Sequence, residues 1–557
     1  MPIRPSLRWL EEPAPGSGIR HYCPDGRWDF RSYPELALRA RRAAGGLVRA
    51  GVRRDDRVMV VSGATTPDFV AAFYGVLWAG ATVSVLAPPL SLQGPGHAGQ
   101  VLAAVSALEP TAVVAGRNLR EHVVQLLGDM LTVPVLCPGE LTGDGDAVTA
   151  RPSAELALIQ FTSGTSNRPK GVRIPFDALE ANTAAIRDWL QVGPADEWAT
   201  WLPMHHDMGL VGCLISPVTA GNGLWLTEPA QFVRDPLPYL RCFGAASATI
   251  TAMPGFGLDR IIRKVPREAL GGLDFSGWRA IVVGAERIDP QLLRRFEELL
   301  APYGLDPAAL TPAYGLAEAT LAVTGVPVRR RWVDAQMPGP AGAGAEPRGV
   351  LGCGLPVGDF AVRVVDDVGT PLPEGVPGEV EVSGSSLADG YLDGPVGAAQ
   401  LREDAMLTGD AGFLLDGELY VLGRLGDSVK VRGRSVFAED VESVLREAGG
   451  APHRLAVVLG ERAGAPVAVV VLEEPDQRWV DRAVSLLRGA CAGAAVAVLA
   501  APAGTIPQTT SGKSRRRELW HAFMSGELGA WRARGTSATN GSLGFKLMGD
   551  RIHNAAI

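Results

Sequence analysis

From about residue 55 onward, runs of β-branched residues alternate with stretches of helical pattern, and this alternation limits the architecture more than any other feature of the chain. RVMVVS (57–62) precedes a helical stretch, TVSVL follows it, and TAVVAG (111–116) follows a further one. WATWLP, ATITAMP and WRAIVVGAE are each followed by a helix-compatible segment. Strands and helices in alternation predict α/β layers on largely parallel sheets. At 557 residues the chain exceeds one ordinary core, so two or more domains are expected.

After about residue 350 the texture changes. GDFAVRVVDD, GEVEVSG and DAGFLLDGELYVLGR read as strands joined by short Gly/Asp turns with no helices between them, which predicts an antiparallel, barrel-like subdomain. From 425 a short α+β unit follows: SVKVRG, helix AEDVESVLREAG, strands RLAVVLG and PVAVVVLEE, helix DRAVSLLRGA, strand AVAVLA and a last helix after Lys513. MPGPAGAGAEPRG (337–349) reads as a loop or linker. The tail from about 533 lacks periodicity and reads as disordered. The expected organisation is a large N-terminal domain over 1–424, made of two α/β sheet subdomains plus a barrel-like subdomain at about 350–424. A small, mobile α+β domain follows over 425–532, then the tail, 533–557.

A net charge of -7 is mild for this length and offers no reason to expect a nucleic-acid partner. The six cysteines are scattered at 23, 137, 213, 242, 353 and 491, so neither a disulfide framework nor a zinc site is indicated, and a reducing cytosol fits. MPIRPSLRWLEEP has no apolar centre and does not read as a signal peptide. FVAAFYGVLWAGATVSVLAPPL (69–90) is long enough to span a bilayer, but Gly80 divides it and Pro88 and Pro89 end it. It reads as a buried helix followed by a buried strand, with no membrane span. The arginine runs 329–331 and 515–517 read as solvated surface.

Three motif-like stretches fail on inspection. GPGHAG (94–99) matches G-x-G-x-x-G but contains a Pro and lacks the following acidic residue, so a flexible loop is expected. SGKS (511–514) would need a Gly at 507, where Pro507 stands. His205, His206 and Asp207 suggest a metal, but adjacent histidines in a strand point to opposite faces.

FTSGTSNRPKGV (161–172) lies between the strand-like runs ELALIQF and GVRIP, so it is a loop joining two strands. Gly164 permits close backbone approach, Ser163, Thr165 and Ser166 offer hydroxyls, and Lys170 adds a positive charge. The stretch resembles the phosphate-binding loop of the adenylate-forming superfamily, which comprises acyl- and aryl-CoA synthetases, nonribosomal adenylation domains and luciferases. Other segments similar to that superfamily follow in order: WRAIVVGAERI (278–288), PAYGLAEAT (312–320), GEVEVSGSSLADGYL (378–392), LTGDAGFLLDGELYVLGR (407–424), GRLGDSVKVRGRSVFAEDVE (423–442) and IPQTTSGKSRR (506–516).

The resemblance, over about residues 20–530, implies the following roles. ATP would meet Thr162, Ser163, Gly164, Thr165, Ser166 and Lys170, and the adenine would lie along Gly284, Ala285 and Glu286. Ala313, Tyr314, Gly315, Leu316 and Ala317 would complete the nucleotide site, with Asp410 and Arg424 at the ribose and its phosphate. Mg2+ would sit at Glu318 and Thr165, Asp427 would be the hinge, and Lys513 would contact the acyl carboxylate and α-phosphate. The catalytic residues would be His206, Glu318 and Lys513, and the acyl site His206, Met208, Gly209, Met253, Gly255, Phe256 and Leu258. The chemistry accounts for the parts. A carboxylate attacks the α-phosphate of ATP and expels pyrophosphate, so the protein must hold a polyanion and stabilise spreading charge. Lys513 would arrive when the small domain closes and excludes water from a hydrolysable adenylate.

Within the superfamily, WLPMHHDMGLVGCLISP (201–217), LDFSGWRAIVVGAE and YGLAEAT resemble the fatty acyl-AMP ligases. Extra sequence between Thr324 and Gly352 matches in position the insertion that hinders CoA transfer in those ligases. Asn167 stands where the loop often has Gly, and Gly255 and Leu258 stand where Asn and Tyr are usual, which could widen the acyl pocket. The expected function is ATP-dependent activation of a hydrophobic carboxylic acid to acyl-AMP, then transfer to a carrier protein's phosphopantetheine. The alternatives are an acyl-CoA ligase for a bulky polyketide- or terpenoid-type acid, using CoA, and a nucleotide-binding scaffold that does not adenylate. No carrier domain follows residue 530, which argues against a nonribosomal module.

Overall fold

Helix Tyr33–Arg49 shows how local sequence sets the first layer. Ser32 caps it by accepting from the Glu35 N–H, Pro34 opens the first turn, and Glu35 and Arg49 suit the dipole at either end. Its buried face is largely alanine and glycine, which lets the next helix, Pro67–Trp78, come close. A Cβ on Gly75 would lie 2.8 Å from the Ala43 Cβ, so the small residues are required by the contact. The second helix is capped by Thr66, buried from Phe69 to Trp78, and followed by Gly80 at φ +79° and the buried strand Thr82–Leu86. The apolar run at 69–90 is therefore a core helix and a core strand. Among the described residues no helix is long and apolar enough to cross a membrane.

The protein is seen in a computed structural model whose described residues are 3–61, 66–88, 95–128, 133–143, 155–162, 169–337, 348–392, 400–401, 405–431, 434–448, 454–462, 464–491, 493–508 and 514–525. Two large sheets carry the helices. The first runs in the spatial order Leu355–Pro356, Ala322–Gly325, Leu310–Gly315, Ala280–Val283, Ala248–Met253, Glu197–Thr200, Gly223–Leu226, Gly18–Tyr22 and Trp28–Ser32. Its central pairings are parallel and its two ends antiparallel. The second runs Gly390–Tyr391, Lys170–Pro175, Leu156–Thr162, Thr82–Leu86, Arg57–Val61, Ala112–Ala115 and Val135–Leu136, parallel except at the Lys170–Pro175 strand. One apolar cluster reaches from the first sheet into the second.

The antiparallel unit expected after 350 is present: Ala361–Val365, Gly378–Ser383, Met406–Leu415 and Gln400–Leu401, with Glu418–Arg424 on Met406–Leu415. Beyond it, strands Leu455–Arg462, Ala465–Glu473 and Ala495–Ala501 form a sheet with its own apolar clusters on both faces. The fold class read from the sequence, α/β with a barrel-like unit and a small α+β unit, is the one observed.

Four local expectations are corrected. Residues 95–99 of GPGHAG begin helix Pro95–Leu108 instead of forming a loop, since proline is tolerated in a helix's first turn. The stretch at 337–349 is in part a hairpin, with Asp334–Met337 paired to Arg348–Leu351, and residues 338–347 lie outside the described residues. His205 and His206 occupy a turn leading into the π-helix Met208–Ile215, not a strand, and their ring centres are 5.1 Å apart. The arginine runs are not merely solvated: Arg330 pairs with Glu418, Arg331 with Glu297, and Arg516 with Asp427, Glu439 and Glu442. The 533–557 tail lies outside the described residues.

Candidate active site

Strands Leu156–Thr162 and Lys170–Pro175 run antiparallel, with Thr162 opposite Lys170. Thr162 and Lys170, the described residues nearest either side of the hydroxyl-rich loop, therefore stand side by side on the sheet. Ser163, Gly164, Thr165 and Ser166 lie outside the described residues, as does Lys513. Strand Gly390–Tyr391 pairs with the Lys170–Pro175 strand, which carries the Tyr391 ring to 5.3 Å from the Lys170 Nζ. The Tyr391 hydroxyl donates to Glu318 Oε1 at 2.9 Å. Glu318 sits in the one-turn helix Ala317–Ala319, just past strand Leu310–Gly315. That turn is held by the Ala388 N–H on the Glu318 carbonyl and by Thr320, whose φ is +67° and whose hydroxyl donates to the Ser386 carbonyl at 2.7 Å.

Burial holds the Lys170 ammonium below its ordinary pKa; the Glu318 carboxylate opposes this, while the charges of Arg517 and Arg424 reinforce it. Burial and the Glu318 carboxylate push the Tyr391 phenol well up, so it remains a donor. Lys170, Glu318 and Arg424 therefore lie within electrostatic reach of one another, and the charge of Arg517 reaches Lys170.

Asp410 lies opposite Arg424 across the Met406–Leu415 and Glu418–Arg424 strands. The Arg424 Nε is 2.8 Å from one Asp410 oxygen, and the Tyr314 hydroxyl donates to the other at 2.6 Å. Each carboxylate oxygen keeps a further lone pair for an incoming hydroxyl. The Asp410 charge raises the Arg424 guanidinium pKa further, and burial keeps Tyr314 protonated.

Gly284 follows strand Ala280–Val283, and a Cβ there would lie 2.9 Å from the Ala313 carbonyl, so only glycine permits that approach. Ala285 adopts φ +68°, which turns the chain at the strand end. Glu286 then accepts the Phe256 N–H at 3.2 Å, capping helix Gly255–Lys264. Tyr314 and Gly315 end the neighbouring strand, and a Cβ at Gly315 would run into the Leu321 carbonyl. Leu316 and Ala317 are buried behind them.

The expected acyl residues divide. Met208, Met253 and Leu258 are core residues, whereas Phe256 is 45% exposed. Trp201 stacks on Phe232 at 4.1 Å, with Phe256 edge-on at 6.3 Å. Gly255 faces Glu286, Ile288 and Leu292; it is Gly257 that adjoins Trp201 and Met253. Gly209 packs on the Pro203 carbonyl, and the His206 carbonyl accepts the Leu210 N–H. Among the described residues no three His, Cys, Asp or Glu side chains form a metal-binding group.

Sequence reasoning assigned no role to Tyr391, Trp201, Arg287, Arg516 or Arg517. Tyr391 and Arg287 stood inside quoted motifs, but nothing local marks a phenol that will orient a carboxylate 73 residues away. Asp427 is bound by Arg516 at 3.4 Å, and a Cβ on Gly426 would lie 2.8 Å from Arg517 Nη2.

Comparison with known proteins gives one consistent outcome. Residues 12–392 match the family described as AMP-binding enzyme. A putative fatty-acid–CoA ligase of Mycobacterium tuberculosis is 30% identical over 558 residues, which covers 90% of this chain and 93% of that one. A long-chain-fatty-acid–AMP ligase of Mycolicibacterium smegmatis is 29% identical over 88% of each chain. A structure from a study of fatty acyl-adenylate ligases of E. coli and L. pneumophila superposes with a TM-score of 0.86 at 27% identity, covering 94% of this chain and 98% of the other.

Proposed function

The chain belongs to the AMP-binding enzyme family, and on that premise we propose that it activates a hydrophobic, fatty-type carboxylic acid with ATP and passes the acyl group to a carrier-protein thiol. It is an adenylate-forming ligase; the acid, the nucleotide's contacts and the acceptor belong to the proposal. The observation that carries it is the meeting of Lys170, Glu318, Tyr391 and the Asp410–Arg424 pair, from four separate stretches of chain.

In this reading Asp410 accepts the ribose hydroxyls, its orientation already set by Tyr314 and Arg424. Lys170 and the 163–166 loop hold the β- and γ-phosphates. Lys513 meets the α-phosphate and the acyl carboxylate, where the pentavalent transition state gathers charge. The acid's oxygen attacks the α-phosphorus, the bond to the β-phosphate oxygen breaks, and pyrophosphate leaves with its electron pair. Glu318 suits Mg2+, because that ion takes few protein carboxylates and fills its shell with phosphate oxygens and water, and the orienting Tyr391 bond leaves the second carboxylate oxygen's geometry intact. When bound there, Mg2+ supplies charge neutralisation to the triphosphate. Trp201, Phe232 and Phe256 border the acyl chain in this reading, with His206 near its carboxyl end.

The carrier-protein acceptor is supported by the 326–348 segment. Its described part is fastened to the large unit: the Trp332 indole donates to Glu297 at 2.7 Å, Arg294 pairs with Asp334 at 3.0 Å, and Arg330 pairs with Glu418. A segment so fastened restricts rearrangement of the small unit. A CoA acceptor is the second reading, favoured by the name of the M. tuberculosis relative. The test is pyrophosphate release over a panel of C8–C18 and branched acids, followed by mass spectrometry of the acyl-adenylate and of thioesters formed with CoA or a holo-carrier protein. No pyrophosphate release with any acid would overturn the reading. Thioester on CoA alone would replace the carrier with CoA.

A further inference from the structure

Arg287 lies directly after the Gly284–Glu286 turn of the large unit, yet its guanidinium reaches across to the small one. One nitrogen, Nη1, donates to the Leu422 carbonyl at 2.9 Å and to Asp440 Oδ1 at 2.5 Å. Both side chains are largely buried, 15% and 18% exposed. Asp440 stands in the first turn of helix Ala438–Glu447, where a carboxylate also suits the helix dipole. Three residues earlier, Phe437 enters an apolar cluster of the barrel-like unit formed by Val350, Ala411, Phe413, Tyr420 and Leu422. Between these two contacts passes Gly423, at φ +146°. A Cβ on it would lie 2.7 Å from Glu439 Oε2 and 3.2 Å from Phe437 Cδ1. The small unit is thus keyed onto the large one by an apolar plug and an ion pair on either side of an obligatory glycine.

We propose that Arg287 is a positioning residue for adenylation: through Asp440 it seats the small unit in the orientation that brings the Arg516–Arg517 segment to the cleft. The inference rests on the functional reading above. In the seated orientation Arg517, four residues past Lys513, comes against Gly426, and its charge acts on Lys170. Arg516, in the same segment, is tied to Glu439 and Glu442, which flank Asp440 on the keyed helix. The chain of contacts therefore runs from the Ala280–Val283 strand through Arg287, Asp440 and their helix to Arg516. An ion pair this well buried is directional, so it discriminates between seated and unseated orientations. Phe437 by itself supplies attraction without fixing rotation about its own axis, because apolar contact is non-directional.

The experiment compares Arg287→Ala, Arg287→Lys, Asp440→Ala and the reversed pair Arg287→Asp with Asp440→Arg, in the full chain. Three quantities are read: acid-dependent ATP–pyrophosphate exchange, acyl transfer from supplied acyl-adenylate, and the distance distribution between one spin label on each unit. The alanine variants are expected to lose about five- to tenfold in kcat for exchange, the effect of an ordinary coupling between sites, with the KM for ATP little changed. Transfer should persist and the distance distribution should broaden. Lysine should recover most of the loss, and the reversed pair, which forgoes the Leu422 bond and opposes the helix dipole, a smaller part of it. Unchanged exchange and distances in Arg287→Ala would overturn the proposal, and so would an equal loss in both half-reactions, or failure of both rescues in variants whose melting matches the parent. If the unaltered chain makes no adenylate, the functional reading fails, while the spin-label distances still decide whether Arg287 seats the small unit.

Discussion

Tyr391 donates its hydroxyl hydrogen to Glu318 Oε1 at 2.9 Å, and the same ring sits 5.3 Å from the Lys170 ammonium. One aromatic side chain thereby orients the carboxylate and packs against the cation of the proposed polyphosphate site. Glu318→Gln keeps the size and an acceptor oxygen but removes the charge. Pyrophosphate exchange should fall by about 10²–10³-fold, the usual cost of losing one charge-stabilising group. Tyr391→Phe should cost less and should raise the magnesium concentration needed for half-maximal exchange. Exchange within twofold of the parent in both variants would remove Glu318 from the chemistry.

Asp410 joins Arg424 and Tyr314, so its removal has a structural as well as a functional effect. Arg424 keeps 43% of its side-chain surface, so water takes up part of the lost partnership. Asp410→Ala should lower stability by about 1–3 kcal/mol, mainly through the lost bonds to the half-buried Tyr314 phenol and to Arg424, read from urea midpoints. Asp410→Asn should fold better, and its KM for ATP should rise more than that for the acid.

Gly257 tests the border assigned to the acyl chain. A Cβ there would lie 2.8 Å from Trp201 Cζ2 and 3.1 Å from Met253 Sδ. The Trp201 ring cannot swing away freely, because it is stacked on Phe232 at 4.1 Å. Alanine would gain about 1 kcal/mol of helix propensity against about 1–3 kcal/mol of overpacking, so a net loss of stability is expected. If Trp201 borders the acyl chain, Gly257→Ala should also shift the preferred acid length or branching in the exchange assay, which Gly277→Ala on open surface should not do.

His21 gives a pH dependence whose sign follows from its surroundings. Burial depresses its pKa below 6.5, with Asp29 opposing, and its Nε2 is 3.9 Å from Glu228. Below pH 6.5 the unfolded chain takes up a proton that the folded chain holds off until a lower pH. Stability should therefore fall as pH drops from 6.5 through the folded value. The urea midpoint of the parent should decline more between pH 7.5 and 5 than that of His21→Gln. Parallel declines would show that His21 titrates normally.

Much of this molecule was legible before folding. The helix at 67–78 and the strand at 82–86 follow from an apolar run broken by Gly80, because helix and strand periods and glycine's freedom are local properties. The same holds for the antiparallel unit after 350. Reading failed where the outcome depended on partners. GPGHAG was read as a loop but opens a helix, and the 515–517 arginines were read as solvated although Arg516 binds three carboxylates.

The amino-acid order alone determined which chemical groups are present and which backbone shape each segment prefers, since both depend on neighbours within a few bonds. Only the tertiary structure decided that Glu286 caps the Phe256 helix instead of standing free, that Tyr391 orients Glu318, and that Arg287 reaches Asp440. Those pairings join residues 30, 73 and 153 positions apart. They exist because sheet register and unit-to-unit packing bring the side chains within reach, and neither is encoded in any short stretch of the chain.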